Sequence, residues 1–165
     1  MNFKRFGIEG NPVLVLLPGL GVSYEIFLPL IKLLEDRFSI VAVQVDGFTL
    51  GEDTKFTSVQ DQAEQLSDFI KENFSSHISV AYGLSLGGKI LSHYKTRLNH
   101  ISGKEIYYWY GTKEAFVAKP QVKHLKALFP QVNVEVFTKL NHGQLLVDFP
   151  EEVAKRIVRI SRQKL

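Results

Sequence analysis

Four short, continuous apolar runs punctuate the chain: Val13 to Leu17, Ile40 to Val45, Ile78 to Tyr82 and Ile106 to Tyr110. A fifth, Val132 to Phe137, alternates more and puts Val132, Val134 and Val136 on one face. Runs that stay apolar at every position suit strands buried on both faces, as in a parallel sheet covered by helices. The opening Asn2-Phe3-Lys4-Arg5-Phe6 segment alternates and predicts an antiparallel edge strand. Between the runs the period changes to that of a helix. Ser58-Val59-Gln60-Asp61 looks like a capping box, and Val59, Ala63, Leu66, Ile70 and Phe74 then recur on one face. Ile26, Phe27, Leu30, Ile31 and Leu34 make a similar stripe, with Pro29 tolerable only in its first turn. A helix is expected from Leu86 to about Arg97, followed by a turn over 99–103. Pro120 is expected to open another, with Val122, Leu125 and Leu128 inward, and Pro150-Glu151-Glu152 to open the last. Strand–helix alternation throughout predicts the α/β class: an open, mostly parallel sheet sandwiched by helices, in a single domain over 1–165.

Composition narrows the picture without changing it. The chain has 165 residues, of which 45% are hydrophobic and 22% charged, so it is neither disordered nor fibrous. The absence of cysteine excludes a disulfide scaffold, a zinc finger and a thiol nucleophile. Net charge is +3, and much of the basic excess lies at Lys155, Arg156, Arg159, Arg162 and Lys164. There cations complement the dipole of the last helix, so no nucleic-acid partner is expected. No run reaches the roughly 20 apolar residues of a membrane span. Lys4 and Arg5 ahead of the first apolar run lack a following small-x-small cleavage site, so a cytoplasmic location with no membrane partner is expected.

Open α/β sheets bind ligands beyond the carboxyl ends of their strands. The five core runs are followed in turn by Pro18-Gly19-Leu20-Gly21, Asp46-Gly47, Gly83-Leu84-Ser85-Leu86-Gly87-Gly88, Gly111-Thr112-Lys113-Glu114 and Asn141-His142-Gly143. A serine, a carboxylate and a histidine thus stand in that order, each after its own strand. Gly83-x-Ser85-x-Gly87 is the most specific signal. A serine held clear of the backbone on a sharp strand-to-helix turn crowds its neighbours, and glycine relieves the crowding. A chance match in a chain of this length has odds on the order of 0.05 with glycine near its ~7% background. The competing reading is a tight turn with a capping serine. His142 is the candidate base, since an imidazole can take the serine proton and return it to a leaving group. His77, His93, His100 and His124 sit instead in helical or connecting polar stretches. Glu114 is the candidate to orient the imidazole, with Asp46 and Asp148 as alternatives. Backbone N–H groups of Leu86, just after the serine, and of Leu20, in the first glycine-rich turn, would hold an oxyanion.

These motifs resemble those of the α/β-hydrolase family, particularly its small bacterial serine hydrolases, over about 6–90 and 105–160. Pro18-Gly19-Leu20 matches the family's His-Gly-x oxyanion turn, with proline for histidine, which keeps the backbone donor. Gly83 to Gly88 matches its nucleophile elbow, and Asn141-His142-Gly143 its Gly-His-Gly histidine turn. Gly111-Thr112-Lys113-Glu114 looks like its Gly-x-x-Asp acid turn, with glutamate for aspartate. Family members usually carry a further strand and a helical cap between the nucleophile helix and the acid strand. Fewer than thirty positions separate Ser85 from Glu114, and one helix with its turn uses them, so a shortened fold without the cap is expected.

The resemblance implies a serine hydrolase cleaving a carboxylic ester or thioester. Ser85 would attack the carbonyl, His142 relay the proton and Glu114 orient His142, while Leu20 and Leu86 hold the oxyanion and water releases the acyl-enzyme. No metal or organic cofactor is expected, and the expected partner is a small-molecule acyl ester or thioester. The same triad on the same scaffold serves acyltransferases, lyases and C–C hydrolases, and a non-catalytic binding module is the rival from another class. Right-handed crossover should deliver Ile106 to Tyr110 directly beside Ile78 to Tyr82, in the slot of the missing strand. Without a cap the site should be an open, partly apolar depression, either covered in a homodimer or weakly active on short acyl esters.

Overall fold

A computed structural model of the chain describes residues 1–48, 53–75, 77–97 and 106–162. Four strands, β1 (Asn2–Gly7), β2 (Val13–Leu17), β3 (Ser39–Gln44) and β4 (Val80–Gly83), form one sheet in the order β1-β3-β2-β4. β3 and β4 flank β2 in parallel, with Val15 opposite both Val41 and Ala81. β1 lies antiparallel on the β3 edge, Asn2 opposite Gln44 and Gly7 opposite Ser39. The carboxyl ends of β2, β3 and β4 therefore share one end of the sheet.

The unbroken apolar runs follow from two-sided burial. Leu14, Leu16, Ile40 and Ala42 face a layer made by Leu30, Ile31 and Leu34 of α1 (Leu28–Leu34) and Val153 and Ile157 of α6 (Pro150–Arg162). Val15, Leu17, Val41 and Val43 face Ala63, Leu66 and Ile70 of α2 (Val59–Phe74) and Ile90 of α3 (Leu86–Arg97). Each Val, Leu or Ile among them contributes roughly 1.5–3 kcal/mol on full burial. Ser58 caps α2 as expected, its Oγ accepting the Asp61 N–H at 3.0 Å. No described helix is long and apolar enough to cross a membrane.

Two further strands, β5 (Tyr107–Gly111) and β6 (Asn133–Phe137), make a separate parallel pair, with Gly111 opposite Phe137. This corrects the expected docking of the fourth run beside the third, because no ladder joins β4 to β5 among the described residues. Crossover handedness fixes the side on which a strand arrives, not whether its backbone enters the ladder. Side chains make the join instead: the Tyr82 and Trp109 rings lie 5.9 Å apart, and both pack on the core layer under α1 and α6. The turn expected over 99–103, together with His100 and Lys164, lies outside the described residues.

A second correction concerns Pro120, which stands inside α4 (Ala115–Leu128) rather than opening it. The 3-10 turn Thr112–Glu114 runs straight into α4, so the helix is nucleated before the proline is reached. Pro120 then removes one hydrogen bond, the one its N–H would have given to the Phe116 carbonyl. Ala118 is the buried residue of this helix, whereas Leu128, expected inward, is 48% exposed. Of the three valines that alternate along the fifth run, Val132 is buried and Val136 is exposed.

The last helix is clamped to β6 by Arg156. Its Nη2 and Nε donate to Glu135 Oε1 at 2.7 and 3.2 Å, and its Nη1 donates to Glu152 Oε2 at 2.9 Å. The Arg156 hydrogen bond holds the Glu135 carboxyl below its ordinary value near 4.5. A value lowered in the folded state adds stability above the ordinary pKa, and that stability is lost as pH falls through the folded value. Thermal melts of Arg156→Met between about pH 3 and 7 should show a loss of about 1 kcal/mol at neutral pH that shrinks toward the acid end, because solvent screens this partly exposed pair. A loss independent of pH would mean that the arginine acts through packing alone.

Candidate active site

The third strand leads into the turn that displays Ser85. The Leu84 N–H donates to Leu17 O at 3.0 Å, extending the pairing with β2, and α3 begins at Leu86. Between them Ser85 takes φ of +51° and is exposed. A left-handed conformation costs a residue with a Cβ roughly 1–3 kcal/mol, and such strain concentrates at functional turns. Two glycines make room for it. A Cβ on Gly87 would stand 2.3 Å from Leu17 O, and one on Gly83 would stand 2.5 Å from the Gly87 carbonyl carbon. Gly87→Ala should therefore destabilise the fold by about 2–4 kcal/mol and lower Tm by roughly 5–10 °C in calorimetry. At Gly88 the nearest atom, Gly83 O, would be 3.3 Å from the new Cβ, and Gly88→Ala is expected to cost about 1 kcal/mol or less. Equal losses at the two positions would remove the steric account of the motif.

Glu114 and His142 are brought together by the parallel pairing of β5 and β6. Their loops leave the same end and are stitched, Lys113 N–H to Leu140 O at 3.0 Å and Lys139 N–H to Thr112 Oγ1 at 2.7 Å. Glu114 Oε1 accepts the Gly111 N–H at 2.9 Å, which fixes the carboxylate over its own turn. Its Oε2 lies 2.5 Å from His142 Nδ1. The carboxylate is 15% exposed and the imidazole 60%, so the acid sits behind the ring and the ring faces solvent. The Gly111 contact was not anticipated; it is the acid half of a capping box, with glycine, a tolerated N-cap, in place of the usual hydroxyl residue.

The four turns meet at the carboxyl end of the sheets. A Cβ on Gly143 would stand 3.6 Å from Leu84 Cδ1, which places the histidine loop in contact with the serine turn. A Cβ on Gly19 would stand 3.5 Å from Ser85 Cβ, so the first glycine-rich turn also abuts the serine. In that turn the Val22 N–H donates to Gly19 O at 3.3 Å with Gly21 at φ +69°, leaving the Leu20 N–H outside the turn's own bond. The Leu86 N–H, first in α3, has no partner within its helix. No hydrogen bond joins Ser85 to His142 in this structure. The other two acids lie elsewhere. Asp148 Oδ2 accepts from Gln144 Nε2 at 2.8 Å at the end of α5 (Gln144–Asp148). Asp46 is held by Gln62, the Met1 amine and Gln65. Burial opposes ionisation of Asp46, yet these hydrogen bonds outweigh it and hold the carboxyl below its ordinary value.

Behind Glu114, at the join between β4 and β5, lies a cavity of about 40 Å³ bordered by Tyr82, Leu84, Trp109 and Phe137. Burial pushes the Tyr82 phenol far above its ordinary value, so it stays protonated and is no base. Among the described residues no cluster of three His, Asp or Glu side chains could hold a metal ion.

No family model matches the chain. Among solved structures, an α/β-hydrolase family protein from Desulfitobacterium hafniense matches with a TM-score of 0.85 at 15% identity, covering 96% of this chain and 99% of that one. The chain has the α/β-hydrolase fold. A carboxylesterase from Bacillus subtilis shares it at a TM-score of 0.74 and 15% identity, covering 96% of this chain and 86% of that one. In sequence, the chain is 33% identical over 96 residues to the pimeloyl-[acyl-carrier protein] methyl ester esterase of Pseudoalteromonas atlantica. That match takes in 56% of this chain and 34% of the relative, so the chain spans about a third of the relative's length. This α/β-hydrolase fold is a short one, with α3 ending at Arg97 and β5 beginning at Tyr107.

Proposed function

We propose that the protein is a serine hydrolase of carboxylic esters or thioesters, with Ser85 as nucleophile, His142 as base and Glu114 as the orienting acid. The observation that carries this reading is the 2.5 Å contact of Glu114 Oε2 with His142 Nδ1, on a loop packed against the exposed, left-handed Ser85. A carboxylate on Nδ1 fixes the proton there and leaves Nε2 as the acceptor, the tautomer that a serine base requires. Ser85 Oγ adds to the carbonyl carbon as its proton passes to Nε2. The resulting oxyanion is held by the Leu20 and Leu86 N–H groups. Collapse expels the alcohol or thiol, protonated from His142, and leaves an acyl-serine. Water, activated by the same imidazole, then releases the acid and restores Ser85.

Ester substrates are supported by the names of two relatives, an esterase and a carboxylesterase. An apolar acyl group is supported by the exposed side chains of Leu20, Phe116 and Val147, each close in sequence to a proposed functional residue. Phe116, two residues after Glu114, is 93% exposed. The test is covalent labelling by a fluorophosphonate probe together with hydrolysis of p-nitrophenyl esters. Labelling at Ser85, mapped by mass spectrometry, is the expected result. A protein that neither labels nor hydrolyses any ester of the series would be a binding module instead.

A further inference from the structure

A groove of about 650 Å³ runs between α1 and α6 and shares no lining residue with the proposed catalytic site. Its α6 wall is Glu151, Lys155, Val158, Arg159 and Arg162, a single helical stripe. At 1.5 Å per residue this stripe is about three turns, roughly 16 Å, long. Leu33 and Arg37 line the opposite side, and Leu33 is exposed there while Ala154 and Val158 form an apolar floor. The groove is thus a strip of apolar surface edged by cations, with Glu151 its one acidic lining residue.

The fold leaves three of these cations without an ion pair among the described residues. Arg37, Arg159 and Arg162 are exposed and make no ion pair with any described residue, unlike Arg156, which clamps Glu135, and Lys155, which is held by Glu152 at 2.8 Å. The helix dipole favours cations in the last turn of α6, but it does not reach Arg37, which comes from another element. We propose that this groove docks an acidic amphipathic helix of a partner protein. Its apolar stripe would lie on Leu33, Ala154 and Val158, and its carboxylates would meet Arg37, Arg159 and Arg162.

Spacing decides between occupants. A compact anion needs converging donors, whereas Lys155, Arg159 and Arg162 stand at i, i+4 and i+7 along about two turns of α6, the spacing at which a docked helix presents its own side chains. Each guanidinium offers a planar fork suited to a carboxylate. A lipid surface fits less well, because Val153, Ile157 and Ile160 of α6 are buried in the core and cannot insert. A nucleic-acid backbone would gain nothing from the apolar floor.

The test uses the full chain and a fluorescein-labelled peptide of three heptads, leucine on one face and glutamate on both flanks, read by fluorescence anisotropy. Its twin carries lysine for every glutamate. Saturable binding of the glutamate peptide is expected, weakening with salt, and absent for the lysine peptide. Arg159→Glu with Arg162→Glu should weaken it about tenfold or more, and Leu33→Asp should do the same without changing charge on the arginines. Hydrolysis of p-nitrophenyl acetate should stay unchanged in these exposed-site variants and the melting temperature should fall by no more than a few degrees, as charge reversal at a helix end entails, so failure here is separable from failure of the hydrolase reading. No saturable binding of the glutamate peptide, equal binding of both peptides, or indifference to the charge reversals would overturn the proposal. So would binding to phosphatidylglycerol vesicles, abolished by the same reversals, in a protein that ignores the peptide.

Discussion

Ser85→Ala should lower kcat for an activated ester by roughly 10⁶ and abolish fluorophosphonate labelling, while leaving Tm nearly unchanged. The side chain is exposed, so alanine creates no cavity, and both residues carry the same Cβ into the left-handed conformation at φ +51°. The expected change in stability is within about 0.5 kcal/mol. What is lost is chemistry alone: without Oγ no acyl-enzyme forms, and any residual rate comes from the oxyanion donors holding the carbonyl toward water. Labelling that persists in the variant would remove Ser85 from the mechanism.

Glu114→Gln should cost roughly 10⁴ in kcat. Glutamine can still accept the Gly111 N–H, so the turn survives. Toward His142, however, it can present an amide N–H, which asks Nδ1 to accept and moves the ring proton to Nε2. The imidazole is then a donor where the serine needs an acceptor. Asp148→Asn is expected to keep near-normal turnover, because Asp148 is bonded to Gln144 rather than to the ring. Asp46→Asn should change stability through Gln62 and Gln65 and leave kcat alone. Near-normal turnover in Glu114→Gln, with loss in Asp148→Asn, would transfer the role.

The elbow was legible because its cause is local. Two glycines and a serine at fixed spacing are what a strand-to-helix turn demands when a Cβ on Gly87 would stand 2.3 Å from Leu17 O. The meeting of Glu114 with His142 was legible for a broader reason, since consecutive parallel strands end on the same side. The sequence already favoured Glu114 over Asp46 and Asp148, but all three acids end or follow a strand or loop there, and the contact of Glu114 with the imidazole is visible only in three dimensions. Pro120 misled the reading: proline at a helix start is a strong signal, but the 3-10 turn at Thr112–Glu114 had already started the helix. The division into two sheets left no trace, since whether β5 enters the ladder depends on the packing of Tyr82 against Trp109. Nor did the sequence distinguish the basic residues of the last helix. There the dipole explains all of them equally, whereas in three dimensions Arg156 is a clamp and Arg159 and Arg162 edge a groove with Arg37.

The join between β4 and β5 places the proposed nucleophile on one sheet and the proposed acid–base pair on the other. A shift of one sheet against the other leaves the Glu114–His142 contact whole and alters only the approach of the imidazole to Ser85. Contacts between side chains yield to load more readily than a ladder of backbone hydrogen bonds, and the cavity of about 40 Å³ beside them is volume that compression can remove. Hydrostatic pressure should therefore reach the Ser85–His142 distance before it unfolds either sheet, making turnover a more sensitive manometer than circular dichroism.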